Sequence, residues 1–109
     1  MAKTTFLDAI RQAQLEEMTR DARVFIMGED IVANVFGTTT DFVQLFGGER
    51  VRDTPISENG FVGAAAGASM VGMRPIADVT LSSFLFPAMD QIISMIAKSR
   101  YIYGGQASL

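Results

Sequence analysis

The chain has 109 residues, of which 49% are hydrophobic and 19% charged, and its formal net charge is −3. This length allows one domain at most, and the composition is that of a globular rather than a disordered protein. The negative charge argues against nucleic acid and anionic membranes as partners. Because there is no cysteine and no histidine, the chain itself supplies no disulfide, thiolate metal ligand or imidazole acid–base group.

The first residues contain neither an apolar signal core nor an arginine-rich transit segment. The longest stretch without a charged residue covers residues 59–73 and is rich in glycine and alanine. It is shorter than the ~20 residues that a membrane-spanning helix needs. We therefore expect a buried helix in this stretch and a cytoplasmic location for the protein.

The first predicted helix begins after Thr5, which together with Asp8 resembles a capping box. Its apolar residues fall on one broad side of a helix. They are Phe6, Leu7, Ala9, Ile10, Ala13 and Met18. The short apolar run of residues 24–27 ends at Gly28 and predicts a buried strand.

The middle of the chain continues the alternation of helices and strands. Residues 38–46 show a shorter helical pattern that two glycines stop, and residues 50–54 predict a short strand. Ser57 can cap a third helix that runs to about Val71 and stops at the following glycine. Residues 74–81 predict the third strand.

The last predicted helix has Pro87 in its first turn, where proline is well tolerated. An apolar stripe marks its buried side and consists of Leu85, Met89, Ile92, Ile93 and Ile96. The helix is expected to end at Gly104 and Gly105. The pattern then lacks a further strand, so we expect residues 1–109 to be the N-terminal part of a domain.

The alternating order predicts an α/β fold with a mainly parallel sheet flanked by helices. Ligands of such sheets bind outside the carboxyl ends of the strands. Three predicted loops lie at such ends: Glu29 with Asp30, residues 55–58 and residues 82–84. The sequence therefore predicts a site at the edge of the sheet where these loops meet.

Small residues occupy one face of the third predicted helix: Gly60, Gly63, Ala64 and Gly67. Each interior glycine costs about 0.5–1 kcal/mol relative to alanine, so close approach of another helix or of a ligand is expected on this face. The opposite face carries Phe61, Ala65 and Met70. A helix that is apolar all round is expected to be buried.

Glu58 stands at the start of this third helix. One interpretation is a first-turn carboxylate that complements the helix dipole. Another is a functional carboxylate, because an acidic group beside an apolar segment is typical of active sites. Position and spacing alone leave both open.

The spacing of Glu58 and the small residues after it resembles the glutamate–glycine motif of thiamine-diphosphate enzymes. Further strings follow at the expected spacing, at residues 27–30, 50–61, 72–75, 88–92 and 103–105. Together they resemble the start of the β subunit of the decarboxylating first component of 2-oxo acid dehydrogenase complexes. That group includes the pyruvate, branched-chain 2-oxo acid and acetoin types.

The resemblance implies the pyrimidine-binding domain and assigns roles to four residues. Glu58 is expected to hydrogen-bond a ring nitrogen of the aminopyrimidine and so to activate the cofactor. Phe84 matches the aromatic residue that packs on this ring, with a core phenylalanine as the alternative. Ile56 matches a cofactor contact. Glu29 matches an acidic group near the cofactor, with a solvated loop carboxylate as the alternative.

The resemblance also implies a heterotetrameric enzyme that oxidatively decarboxylates a 2-oxo acid and transfers the acyl group to a lipoyl group. Its partners are an α subunit with the diphosphate and Mg²⁺ site, a second β subunit and a lipoyl-bearing acyltransferase. The 109 residues contain no Gly-Asp-Gly motif for the diphosphate, so we expect them to be inactive alone. Pro87 replaces a common glutamine, and residues 31–36 lack the usual glycine and tyrosine. These departures put one polar cofactor contact and the substrate type in doubt.

Two alternatives remain beside this assignment. One is the equivalent domain of a transketolase-like or deoxyxylulose-phosphate-synthase-like enzyme, which also uses a thiamine-activating glutamate. Residues 53–58 and 103–105 favour the dehydrogenase. The other is a non-catalytic helix-pairing module, which would use the small-residue helix and the apolar stripe of residues 85–96.

Overall fold

The computed structural model describes residues 3–107 and residue 109. Three parallel strands form one sheet in the order β2-β1-β3. They are β1 (Val24–Gly28), β2 (Val51–Asp53) and β3 (Arg74–Asp78). The predicted α/β fold with a parallel sheet is confirmed, although the predicted domain also includes residues 1, 2 and 108, which lie outside the described part.

Helices separate the strands, as the sequence predicted. They are α1 (Phe6–Arg20), α2 (Phe42–Phe46) and α3 (Glu58–Met70). After β3 comes a continuous helical run, which starts with a 3₁₀ turn (Ser82–Phe84) and continues through α4 (Leu85–Met89), a π-helical segment (Asp90–Ile96) and α5 (Ala97–Ile102). Below, residues 82–102 are called the last helical run.

The sheet separates two apolar clusters and so forms the middle of three layers. On one face, α1 and α2 cover a cluster of Met18, Val24, Ile26, Ile31, Phe42 and Val51. On the other, α3 and the last helical run cover a cluster of Phe61, Val62 and Ala88, joined by Met27 and Ala77. Both faces of β1 are therefore covered, which explains why its sequence is a continuous apolar run.

The start of α1 follows the prediction, but its apolar side does not. The Thr5 hydroxyl oxygen accepts the backbone N–H of Asp8 at 3.1 Å and caps the helix. Of the six apolar residues that the sequence placed on one side, only Met18 is buried, and Phe6 is 85% exposed. The reason is that α1 packs on the sheet through Leu15 and Met18.

Two predicted elements are shorter than expected because a residue adopts a left-handed backbone conformation. The helix predicted from residue 38 begins only at Phe42, since Asp41 has φ +65°. The strand predicted to reach residue 81 ends at Asp78, since Thr80 also has φ +65°. Such φ values interrupt both helix and strand geometry. Aspartate adopts them more often than most residues, whereas threonine seldom does.

The prediction that α3 is buried all round is wrong for its small-residue face. Gly60, Ala64 and Gly67 are exposed in the described part of the chain. Gly63 alone has a close neighbour from another helix, because a Cβ at this position would lie 3.0 Å from Gln91 Oε1. The opposite face is buried by Phe61, Val62, Ala65 and Ala66.

The apolar stripe of the last helical run is only partly confirmed. Ile92 and Ile96 pack against the cluster under α3, whereas Ile93 is exposed. A π-helical segment has a wider turn than an α-helix, so a stripe counted at α-helical spacing misplaces residues within it. In residues 3–107 and 109, no helix is long and apolar enough to cross a membrane.

Candidate functional site

The carboxyl ends of the three strands lie side by side. Gly28 is in register with Asp53 on β2 and with Asp78 on β3. The loops after these strands therefore leave the sheet at one edge, as the sequence predicted. These loops carry the four predicted site residues, Glu29, Ile56, Glu58 and Phe84.

Glu58 is the first residue of α3 and is half-buried. Ser57 precedes it at the N-cap position, but its side chain makes no capping hydrogen bond, contrary to the prediction. The Ser57 hydroxyl instead lies beside Gly60, and a Cβ added at Gly60 would come within 2.6 Å of it. Among the described residues, the Glu58 carboxylate forms no hydrogen bond or ion pair. It is therefore available to a ligand.

A mainly apolar cavity of about 330 Å³ lies beside this first turn of α3. It is lined by Met27, Thr54, Pro55, Ser57, Gly60, Phe61 and Ala64. The Thr54 hydroxyl oxygen is buried and has no hydrogen-bond partner among the described residues. Such a group normally bonds to an ordered water, an ion or a ligand. Thr54 lies within residues 53–58, which favoured the dehydrogenase assignment, but no feature of the sequence predicted a role for its hydroxyl.

Glu29 lies at the same edge of the sheet and lines a smaller cavity of about 50 Å³. Asp30, Asn34, Thr38, Asp78 and Thr80 are among the other lining residues. One carboxylate oxygen of Glu29 is buried without a hydrogen-bond partner in the described part of the chain. Glu29 is half-buried, so both its interpretations, an acidic group near a cofactor and a loop carboxylate in contact with solvent, stay open.

Ile56 and Phe84 lie at the same edge of the sheet but differ in exposure. Ile56 is 84% exposed on the loop after β2. Phe84 is half-buried at the end of the 3₁₀ turn after β3. Neither of them, nor Glu58, lines either of the two cavities. The chain thus presents the four residues on one edge but does not by itself enclose them in one pocket.

The acidic residues at this edge do not form a metal site of the usual kind. Within residues 3–107 and 109, no group of three or more histidine, cysteine, aspartate or glutamate side chains is close enough to hold a metal ion. Carboxylates without a metal or a basic partner act chemically as hydrogen-bond acceptors. The site is therefore suited to a ligand that donates hydrogen bonds.

Residues 2–104 match the sequence profile of the family described as transketolase, pyrimidine binding domain. The chain belongs to this family. A transketolase pyrimidine-binding domain is an α/β unit with a parallel sheet, in agreement with the sheet and helices described above. The expected family of thiamine-diphosphate enzymes is confirmed.

Three similar curated proteins are named as β subunits. The 2-oxoisovalerate dehydrogenase subunit beta of Bacillus subtilis is 48% identical over 103 residues, which is 93% of this chain and 32% of the relative. The pyruvate dehydrogenase E1 component subunit beta of Rhizobium meliloti is 44% identical, over 97% of this chain and 24% of the relative. The acetoin:2,6-dichlorophenolindophenol oxidoreductase subunit beta of Bacillus subtilis is 40% identical, over 94% and 34%. The chain therefore spans about a third or less of these relatives.

Proposed function

We propose that the chain is the aminopyrimidine-binding part of the β subunit of a thiamine-diphosphate-dependent 2-oxo acid dehydrogenase. The observation that carries the proposal is the Glu58 carboxylate, which starts α3 at the carboxyl edge of the sheet and has no partner among the described residues. The names of the similar relatives favour this function over a transketolase-like enzyme. Membership in the transketolase pyrimidine-binding family favours an enzyme over a non-catalytic helix-pairing module.

The residues at the edge fit the aminopyrimidine half of the cofactor. This ring is planar and carries an amino group, so it needs hydrogen-bond acceptors and an apolar surface. Glu58 and the buried oxygen of Glu29 are acceptors without partners in the described residues. Met27, Pro55 and Phe61 supply apolar surface in the adjacent cavity. Phe84 would pack on the ring and Ile56 would contact the cofactor, which gives each predicted residue a role.

When bound, thiamine diphosphate supplies the carbon nucleophile that attacks the 2-oxo acid and accepts the electrons released on decarboxylation. Glu58 would hold a proton in a charge-assisted hydrogen bond to a ring nitrogen, and such a bond is strong where water is excluded. Glu29 would accept a second hydrogen bond and help to orient the ring. These residues therefore bind, orient and hold a proton, while the decarboxylation depends on the cofactor.

The remainder of the enzyme would come from other chains or from other parts of this subunit. We assign the diphosphate and Mg²⁺ to an α subunit, which the β-subunit names of the similar relatives imply as a partner. The proposal also includes a second β subunit that completes a heterotetramer, a lipoyl-bearing acyltransferase as acyl acceptor, and a cytoplasmic location. The 109 residues would have no activity on their own.

The test is Glu58→Gln in the complete enzyme. Glutamine has the same shape but cannot exchange a proton with the ring, so decarboxylation is expected to fall at least about a hundredfold, as for loss of general acid–base catalysis. Assembly with the α subunit should not change, because Glu58 has no contact of its own to lose among the described residues. Single-turnover decarboxylation and sedimentation measure the two effects.

Glu16→Gln is the matched control, because Glu16 is an exposed glutamate on α1 whose carboxylate, among the described residues, bonds only to Gln12 on the same helix. It should decarboxylate like the wild-type enzyme. If Glu58→Gln also kept the wild-type single-turnover rate, the proposed role of Glu58 would be wrong.

A further inference from the structure

The loop between β3 and Phe84 begins with a strained turn. The backbone N–H of Leu81 donates to the carbonyl oxygen of Val79 at 2.6 Å. Thr80 lies between them with φ +65°. A hydrogen bond across one residue in this conformation is a γ-turn of the rare, strained type. The strain is greater here because threonine is β-branched, and such residues seldom adopt positive φ.

Asp78 holds this turn from the end of β3. One carboxylate oxygen, Oδ1, accepts the backbone N–H of Thr80 at 2.8 Å. The other, Oδ2, accepts the hydroxyl of Thr38 at 3.4 Å. The backbone carbonyl of Asp78 lies directly against Gly28 of β1. The side chain thus projects from a strand that is paired with β1, and it binds Thr80 in its left-handed conformation.

The turn decides where the segment that carries Phe84 begins. Leu81, the residue after Thr80, is the N-cap of the 3₁₀ turn, and its carbonyl oxygen accepts the N–H of Phe84 at 2.9 Å. If Thr80 relaxed to a negative φ, Leu81 would change direction and the 3₁₀ turn would move with it. A strained residue persists only where its surroundings hold it, and such residues concentrate at functional sites.

We propose that Asp78 is a positioning residue that holds the Thr80 turn and thereby sets the place of Phe84 against the aminopyrimidine of the cofactor. The inference rests on the proposed function for its ligand. Its structural half, the hold of Asp78 on the turn, can be measured without any cofactor.

The experiment compares variants of the complete enzyme. Asp78→Ala removes the acceptor for Thr80, and the Kd for thiamine diphosphate is expected to rise about tenfold, which corresponds to about 1.4 kcal/mol. At saturating cofactor, kcat should change much less, because Glu58 is untouched. Asp78→Asn keeps an acceptor oxygen and should bind the cofactor nearly as well as wild type.

The decisive variant is Asp78→Ala combined with Thr80→Gly. Glycine adopts positive φ without steric penalty, so the turn no longer needs Asp78. The double variant should therefore recover most of the affinity that Asp78→Ala loses. Because glycine also relieves the strain at Thr80 in the folded state, urea denaturation of each variant, Thr80→Gly alone included, separates a general gain in stability from repair of the turn.

Hydrogen exchange of the Leu81 and Phe84 amides in the cofactor-free protein gives a second measurement. Exchange should be faster in Asp78→Ala and return towards wild type in the double variant. Asp41→Ala is the control, because it also removes an aspartate carboxylate, but one that pairs with Arg11 at 3.7 Å and not with the Thr80 turn. This control should alter neither the exchange at Leu81 nor the affinity for the cofactor.

The proposal is overturned if Asp78→Ala binds thiamine diphosphate like wild type with unchanged exchange, or if neither Asp78→Asn nor the added Thr80→Gly restores affinity. A wild-type enzyme that does not bind thiamine diphosphate at all would instead refute the proposed function, and the exchange pattern would then decide the role of Asp78 in the turn. The two failures are therefore distinguishable.

Discussion

Gly28 lies where the three strands come together at the edge that carries the site. It is in register with Asp53 and Asp78, and a Cβ at this position would overlap the carbonyl oxygen of Asp78 and lie 3.2 Å from Ile31 Cδ1. The sequence indicated Gly28 only as the end of a strand. Its close packing could not be predicted, because it depends on which strands are neighbours.

We expect Gly28→Ala to destabilise the fold by about 1–3 kcal/mol, because an added methyl group in a packed place forces the backbone to shift. The atom that it would meet is a backbone oxygen, which cannot move aside as a side chain can. Gly48→Ala is the control, since Gly48 is exposed and has no atom within 4 Å of an added Cβ. Urea denaturation of both variants measures the difference, and equal stability would contradict the packing described here.

For other single residues, the position in the fold could be predicted from the sequence, but the backbone conformation and hydrogen bonding could not. The positions of Glu58 and Glu29 at one edge followed from the order of strands and loops and were confirmed. The left-handed Thr80 and the partnerless hydroxyl of Thr54 were not foreseen. Both depend on tertiary contacts, and threonine is among the last residues that local preferences would place at positive φ.

At the scale of elements, α3 shows that helix bounds are easier to predict than helix surroundings. Its predicted end near Val71 is within one residue of the observed end at Met70. The expected close approach to its glycines is present only at Gly63, beside Gln91. The π-helical segment that carries Gln91 was missed, because periodicity is counted at α-helical spacing and a π-helix depends on packing.

Gly67 and Gly63 offer a matched pair of tests within α3. Gly67→Ala should stabilise the protein by about 0.5–1 kcal/mol, since alanine favours helix and nothing lies within 4 Å of its Cβ. Gly63→Ala gains the same preference, but its Cβ would press on Gln91 Oε1 at 3.0 Å, so we expect little or no gain. Thermal unfolding compares the two, and an equal gain at both positions would show that Gln91 does not restrict Gly63.

At the scale of the whole molecule, the described residues form a folded sheet with open surfaces. The outer edges of β2 and β3 have no partner strand within residues 3–107 and 109. Several large apolar side chains are more than three-quarters exposed: Phe6, Ile56, Val71, Phe86 and Tyr101. The alternation of elements and the parallel sheet were predictable from local patterns, whereas the identity of the exposed apolar side chains was not, because it depends on how the elements pack together.

These surfaces predict that the 109 residues, prepared alone, self-associate, because exposed apolar area of this kind drives association in water. Sedimentation velocity should show a mass that rises with protein concentration. Phe86→Ser together with Tyr101→Ser removes two of the most exposed aromatic side chains and should weaken the association, since neither residue belongs to either buried cluster. Gln44→Ser, an exposed polar change on α2, is the control and should have no effect. A compact monomer at every concentration would mean that the exposed side chains do not act as contact surfaces, and that the partners proposed for this subunit dock elsewhere.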